Sequence, residues 1–304
     1  MSSRIETTHN VPSTYASPSG LETSSPEKPA PIDSATQQAS GDSTAPSLSP
    51  ILENLTPHEA EALSQLKESQ TWNSLLAKIG EEQHELWGIP ISTNSPKRDV
   101  VLMKFLRAHK LIVPNAVENL VETLKWRRDF RALETITEPH AEKFQKVGFI
   151  FGKDLRGRPV TYNIYSGLDN KSIFGDLDAF LRWRVGLMER AVQTLDFEKL
   201  DQLSQIHDYL GTSLFRMDAG TKKASRSVIK IFQRHYPELL AAKYFVNVPR
   251  GMEFVFSVVK PFLSADTIKK FVVLADSKKL VQFIPADELP EIYGGKGKVH
   301  ELSL

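Results

Sequence analysis

Leu203-Ser-Gln-Ile-His-Asp-Tyr209 is the segment on which the reading of this chain turns. It lies between two helical stretches, where a central parallel strand is ordinarily a run of Val, Ile and Leu because helices cover both of its faces. Side chains alternate along a strand, so Gln205, His207 and Tyr209 share one face and Ser204, Ile206 and Asp208 the other. One side of an expected core strand therefore carries an amide, an imidazole and a phenol. Buried polar groups cost free energy unless partners answer them. A pocket with a polar or metal-bearing ligand supplies such partners.

Outward from this strand the pattern alternates. Phe149-Ile-Phe151 and Pro159-Val-Thr-Tyr-Asn-Ile-Tyr165 read as strands joined across the turn-rich Asp154-Leu-Arg-Gly-Arg-Pro159. Helices are expected over about 178–195 and 221–236, strands at 243–248 and 270–274, a short apolar helix at 251–259, and a last helix closing before Gly294-Gly295. Strands separated by helices imply crossover connections and an α/β lobe with a mostly parallel sheet flanked by helices. Ahead of it the period is helical. Thr56-Pro-His-Glu59 is a capping box with Pro at the first helical position, and further helices are expected over about 97–109 and 114–130. Val117, Leu120, Val121 and Leu124 form the buried stripe of the last. The division expected is a Ser/Thr/Pro-rich disordered tail (1–50), an all-helical N-terminal subdomain (51–140) and a ligand-binding lobe (141–304).

The 304 residues have 40% hydrophobic and 25% charged side chains, with a formal net charge of +1. That balance argues against a dedicated nucleic-acid binder. Without Cys, disulfides, thiolate nucleophiles and thiolate-ligated metals are excluded. No apolar run approaches the roughly 18 residues that a spanning helix needs. The opening residues lack the basic and apolar regions of a secretory leader. A cytoplasmic protein with only peripheral membrane contact is expected. No nucleophile elbow, Walker loop or dinucleotide fingerprint is present, so no enzyme is expected.

Several spaced motifs resemble the CRAL-TRIO (Sec-fourteen-like) lipid-transfer family: Phe105-Leu-Arg-Ala108, Trp126-Arg-Arg128, Gly157-Arg-Pro-Val160, Tyr236-Pro-Glu238, Val246-Asn-Val-Pro249, Lys260-Pro-Phe-Leu263 and Leu289-Pro290 with Gly294-Gly-Lys296. The resemblance implies one hydrophobic ligand in a pocket floored by the sheet. A mobile helix would close that pocket, with Phe254, Val255, Phe256 and Val258 as its apolar face. It also implies phosphatidylinositol recognition by Glu238, Thr267 and Lys270: a carboxylate accepting from inositol hydroxyls, with a hydroxyl and an ammonium donating to phosphate. The family's basic contact from the N-terminal signature is replaced here by His109, beside Lys110. Where phosphatidylcholine-binding members place small hydroxyl residues, this chain has Leu203 and Gln205, so loss of choline lipids is expected.

His207-Asp-Tyr209 in turn resembles a fungal branch of the family, the non-classical phosphatidylinositol transfer proteins that carry haem through a tyrosinate. This implies ferric haem b with Tyr209 as axial ligand to the iron, on a protein peripheral to endoplasmic-reticulum or microsomal membranes. His207, on the same face, is placed to donate to the phenolate or to stand near iron. Tyr162, on the Val160/Tyr162/Ile164 face of the neighbouring strand, is expected to line the same cavity. Arg182, Lys222, Arg226 and Lys243 are the candidate cations for the haem propionates. Competing readings are a Tyr-haem peroxidase, a purely regulatory lipid-sensing protein, and plain core or surface roles for each of these residues.

Overall fold

The computed structural model describes residues 49–80, 85–212, 218–248 and 268–299. The tail up to residue 48, Thr267 and the apolar helix expected at 251–259, with Phe254, Val255, Phe256 and Val258, lie outside the described residues. A helical turn precedes the capping box: the Ser49 hydroxyl accepts from the Ile51 amide and caps α1 (Pro50–Glu53). The box itself opens α2 (Pro57–Lys67), with Glu59 accepting from the Thr56 amide at 2.9 Å. Next comes α3 (Ser69–Ile79).

The N-terminal portion is not purely helical. A hairpin, β1 (Glu85–Leu86) and β2 (Ile89–Pro90), turns at Trp87 and Gly88, both at positive φ. Tertiary packing pins this turn, because the Trp87 ring is buried against Phe105, Phe197 and Tyr236. Helices α4 (Pro96–Ala108) and α5 (Val113–Phe130) follow within about a residue of expectation.

The lobe is built from β3 (Gly148–Lys153), β4 (Pro159–Ile164), the short α6 (Asn170–Phe174), α7 (Leu177–Val192), β5 (Leu203–Asp208), α8 (Ala219–His235), β6 (Leu240–Val246) and β7 (Phe271–Leu274). The sheet order is β3-β4-β5-β6-β7; β3 is antiparallel to β4 and every other pair is parallel. The β3–β4 turn is held by Asp154, whose carboxylate accepts from the Arg156 and Arg158 amides, the Arg158 guanidinium and the Ser204 hydroxyl.

Instead of a last helix there are three short 3-10 turns, Ser277–Gln282, Ala286–Glu288 and Glu291–Tyr293. Pro285 and Pro290 interrupt any continuous helix by removing donors and crowding the preceding turn. The double glycine has a local cause: Gly294 sits at φ +86, and a Cβ on Gly295 would come 1.9 Å from the Leu289 carbonyl oxygen. Among the described residues no helix is long and apolar enough to cross a membrane.

Leu66, Leu75, Phe105 and Leu120 from the N-terminal helices share one core with Met188, Leu195 and Leu203. At its centre Arg127 of α5 makes a bidentate pair with Glu189 of α7 at 2.5 and 2.9 Å, and the Tyr236 hydroxyl donates to the same carboxylate at 2.5 Å. Burial opposes the charge on Arg127, but Glu189 more than offsets it and holds the guanidinium above its ordinary value. Removing the carboxylate strands a buried cation. Glu189→Ala should therefore destabilise the fold by about 3–5 kcal/mol, read as a lower urea midpoint. A joint Arg127→Met, Glu189→Leu replacement should recover much of that loss.

Candidate functional site

β5 is buried along its whole length, and its two faces solve the polar problem differently. On the Ser204/Ile206/Asp208 face every polar group has a structural partner. Ser204 donates to Asp154. Asp208 accepts from the Leu210 amide, from Asn247 at 2.8 Å and from the Tyr293 hydroxyl at 3.0 Å. The C-terminal 3-10 turns cover this face and pack Leu280, Ile284, Leu289 and Tyr293 against Ile206 and Tyr244.

The opposite face is laid out by the strand register. Thr161, Gln205, Lys243 and Phe271 form one cross-strand row; Asn163, His207, Phe245 and Val273 form the next. Tyr165 and Tyr209 extend it past the strand ends, their rings 5.0 Å apart. Tyr162 does not belong here. It pairs with Ile206 and stacks between Phe149 and Tyr293, at 4.6 and 5.5 Å, on the far side of the sheet. The tyrosine that reaches the His207/Tyr209 face is Tyr165, one residue past the end of β4.

Hydrogen bonding fixes the roles on this face. His207 Nδ1 lies 3.0 Å from the Tyr165 hydroxyl and Nε2 lies 3.4 Å from Gln205 Oε1. Burial, with Lys243 and Arg184 nearby, pushes the imidazole well below its usual range, so it is neutral. With the Gln205 amide assigned as above, its oxygen can only accept. Nε2 then carries the hydrogen, and Nδ1 accepts from Tyr165. Both nitrogens are committed along Tyr165–His207–Gln205. The Tyr209 hydroxyl, in contrast, has no hydrogen-bond partner among the described residues. Burial pushes both phenols up, so both are protonated in the protein alone.

Two cations face these groups with no carboxylate partner among the described residues. Arg184 of α7 is 4% exposed, its Nη1 has no hydrogen-bond partner, and its guanidinium lies 4.7 Å from the centre of the Phe232 ring of α8. Lys243 lies over Phe245 and Phe271 at 5.5 and 5.8 Å. Burial and the like charge of Arg184 bring Lys243 down to about 7, while burial takes Arg184 down to about 10. Yet Lys243, Phe245, Phe271, Tyr165 and Tyr209 all retain partial exposure. These side chains are thus strongly desolvated without being fully enclosed.

The other expected cations lie elsewhere. Arg182 is tied to the Glu138 carboxylate and the Phe130 carbonyl. Lys222 and Arg226 are on the exposed side of α8. Helical period explains the first miss: residues two apart on a helix face nearly opposite ways, and Arg184 stands in the buried stripe with Phe180, Leu187 and Met188.

A second polar cluster surrounds Glu238, which sits at φ +53 ahead of β6. Its carboxylate accepts from Lys270 Nζ at 3.1 Å. Its carbonyl accepts from Lys104 Nζ at 3.1 Å and Gln202 at 3.3 Å. Lys104 is buried and also pairs with Asp201 at 2.6 Å; burial lowers its pKa against the pull of that carboxylate. The basic residue that α4 brings to Glu238 is thus Lys104, five residues before the position taken by His109. His109 caps the end of α4. Leu203 lies in the apolar core and Gln205 is held by His207.

Residues 143–295 match the CRAL/TRIO domain family. A Saccharomyces cerevisiae protein named phosphatidylinositol transfer protein SFH5 is 42% identical over 212 residues, covering 67% of this chain and 72% of its own length. A Sclerotinia sclerotiorum protein of the same name is 41% identical over 240 residues, which are 71% of this chain but 57% of that longer relative. A crystal structure of Sfh5 matches with a TM-score of 0.71 at 35% identity, over 82% of this chain and 90% of the other. With its mixed sheet walled by helices and the Tyr-Pro-Glu corner in place, the chain belongs to the CRAL/TRIO domain family.

Proposed function

We propose that this protein is a phosphatidylinositol carrier whose interior site also accepts ferric haem b through Tyr209, and that it works as a carrier rather than a catalyst. The observation that carries the interior half of this reading is the pair Arg184 and Lys243, two desolvated cations beside two phenols, with no carboxylate partner among the described residues. Such a pair calls for an anionic guest. Among the described residues no three His, Cys, Asp or Glu converge as a bare-ion site. The chemistry of the face suits a flat, largely apolar anion instead: Phe245 and Phe271 as walls, Arg184 and Lys243 for carboxylates.

Tyr209 is the phenol with a free hydroxyl; burial and the neighbouring Tyr165 keep it protonated, so a bound ferric ion would have to displace that proton. Bound haem would supply a ferric iron, which phenolate ligation keeps at low potential. The protein's part is to hold the Tyr165–His207–Gln205 chain fixed and to leave the Tyr209 oxygen unengaged. His207, its two nitrogens committed, sets the position of Tyr165.

The phosphatidylinositol half rests on the names of the relatives and on the Glu238–Lys270 pair. A carboxylate and an ammonium already in contact offer an acceptor and a donor to an inositol phosphate. Lys104 and Gln202 hold the Glu238 backbone in its left-handed conformation. At the two expected choline positions Leu203 is apolar and Gln205 is engaged, so neither supplies a small hydroxyl to a choline headgroup, and discrimination against phosphatidylcholine is expected. Thr267, the third expected headgroup contact, lies outside the described residues.

Protein isolated from haem-replete cells should show a Soret band that Tyr209→Phe abolishes and Arg184→Met weakens; a colourless wild type defeats the haem half. Lys270→Ala should cut phosphatidylinositol transfer between vesicles about tenfold or more, the cost of losing a charge-assisted hydrogen bond, without altering the Soret band.

Lys243 makes the anion site pH-dependent. Its value in the empty site is about 7, and a bound anion raises it. Anion affinity should therefore be level below pH 7 and fall above it, by at most about tenfold per pH unit. Lys243→Met should remove that slope in a titration of fluorescence quenching. Because the unfolded chain binds this proton up to about pH 10, the empty wild type should gain stability as pH rises from 7 toward 10. The variant should lack that gain and melt higher than wild type at pH 7.

A further inference from the structure

The sequence of α8, Ala-Gly-Thr-Lys-Lys-Ala-Ser-Arg-Ser-Val-Ile-Lys-Ile-Phe-Gln-Arg-His, contains no Asp or Glu. Its inner side is fully used: Thr221 and Ala224 are buried, Val228 packs beside Trp183 and Phe180, and Ile231 and Phe232 join the main core. The outer side carries Lys222, Lys223, Arg226 and Lys230, all exposed. No side chain of the four forms a hydrogen bond or ion pair with the described residues, whereas Arg234, farther along, is taken by Glu122. The helix cap Asp218 is occupied by the Thr221 amide at 2.7 Å. Lys222, Arg226 and Lys230 recur every fourth residue and make a row about 12 Å long at the 1.5 Å rise of a helix.

We infer that the outer face of α8 is the surface by which this protein docks on an anionic phospholipid bilayer. The chain as a whole has a formal net charge of only +1, so α8, with cations and no acidic residue, is far more basic than the rest of the chain. A charged plane therefore orients it with α8 inward. The outer face offers no aromatic side chain, and its largest apolar one is the half-buried Ile229. It lacks the anchors that the centre of a protein interface uses and the stacking platforms of single-stranded nucleic-acid binders. A row of cations with no aromatic anchor fits a planar surface of mobile negative charges. The inner residues are already packed, so docking is electrostatic, without insertion, and yields to salt. The inference deepens the carrier reading, since a lipid carrier exchanges its cargo at a bilayer, but the charge distribution stands without it.

The test uses the full chain and flotation with vesicles of phosphatidylcholine alone or with about a third phosphatidylserine. Wild type should float with the anionic vesicles only, and 0.5 M salt should release it. Lys222→Glu, Arg226→Glu and Lys230→Glu together should lower that binding by about a hundredfold or more, from roughly fivefold per cation near such a surface. The milder triple change to Gln, with an unchanged circular-dichroism spectrum, should lower it in the same direction. Haem absorbance and bound phosphatidylinositol in both variants should match wild type. If wild type loads neither cargo yet still floats in this charge-dependent way, the carrier reading fails and the docking surface stands. Equal flotation of wild type and both variants, or tighter binding to duplex DNA than to anionic vesicles, overturns the inference.

Discussion

A strand covered on both sides must find a partner for every polar atom it carries, and β5 carries polar side chains on both faces. The Ser204/Asp208 face meets this demand within the protein: Asp154, Asn247, Tyr293 and two backbone corners close every bond. The Gln205/His207/Tyr209 face meets it only in part. Its internal chain ends at Tyr165, the Tyr209 hydroxyl is left over, and the nearest charges are two cations. Functional capacity and fold stability have been divided between the two sides of one strand.

Arg184 joins the parts. It projects from α7 toward the sheet, lies over Phe232 of α8, and lowers the pKa of both His207 and Lys243 by its charge. A guanidinium in that place costs the empty fold the desolvation of its charge. Five residues along, Glu189 anchors the same helix through Arg127 and Tyr236, and that clamp offsets the cost of holding Arg184 buried without a counter-charge among the described residues.

Much of this was legible beforehand. The alternation along Leu203–Tyr209, the turn at Asp154–Pro159 and the spacing of the helices are short-range patterns, and they placed the sheet and its parallel order. What failed was information held in register. Tyr162 lies in β4 and Tyr165 one residue past its end, and only the pairing Thr161 with Gln205 shows which of them faces His207. A shift of one residue would exchange them. Arg182 against Arg184 is a different failure. The apolar stripe from Phe180 to Met188 already marks Arg184 as inward, and the helical period could have found it. Lys104 also stands in an apolar run, between Met103 and Phe105, and its partners Asp201 and Glu238 are distant in sequence. Trp87 at positive φ, and the 3-10 turns in place of a last helix, depend on tertiary packing and on Pro285 and Pro290.

The energetics of the interior site run in one direction. Lys243 and Arg184 raise the free energy of the empty protein, because each has been taken from water without a counter-charge among the described residues. Any anion that enters regains part of that cost, and the gain adds to its own contacts. Binding and folding are then coupled, and the loaded form is the more stable one. The two clusters are also neighbours along the same pair of strands: the Lys243 amide donates to the Lys270 carbonyl at 2.8 Å, and Lys243 stands beside Phe271 in register. A carrier so arranged keeps its cargo until a competitor or a charged surface offers the two cations another partner, which makes exchange, rather than spontaneous release, the step that its electrostatics favour.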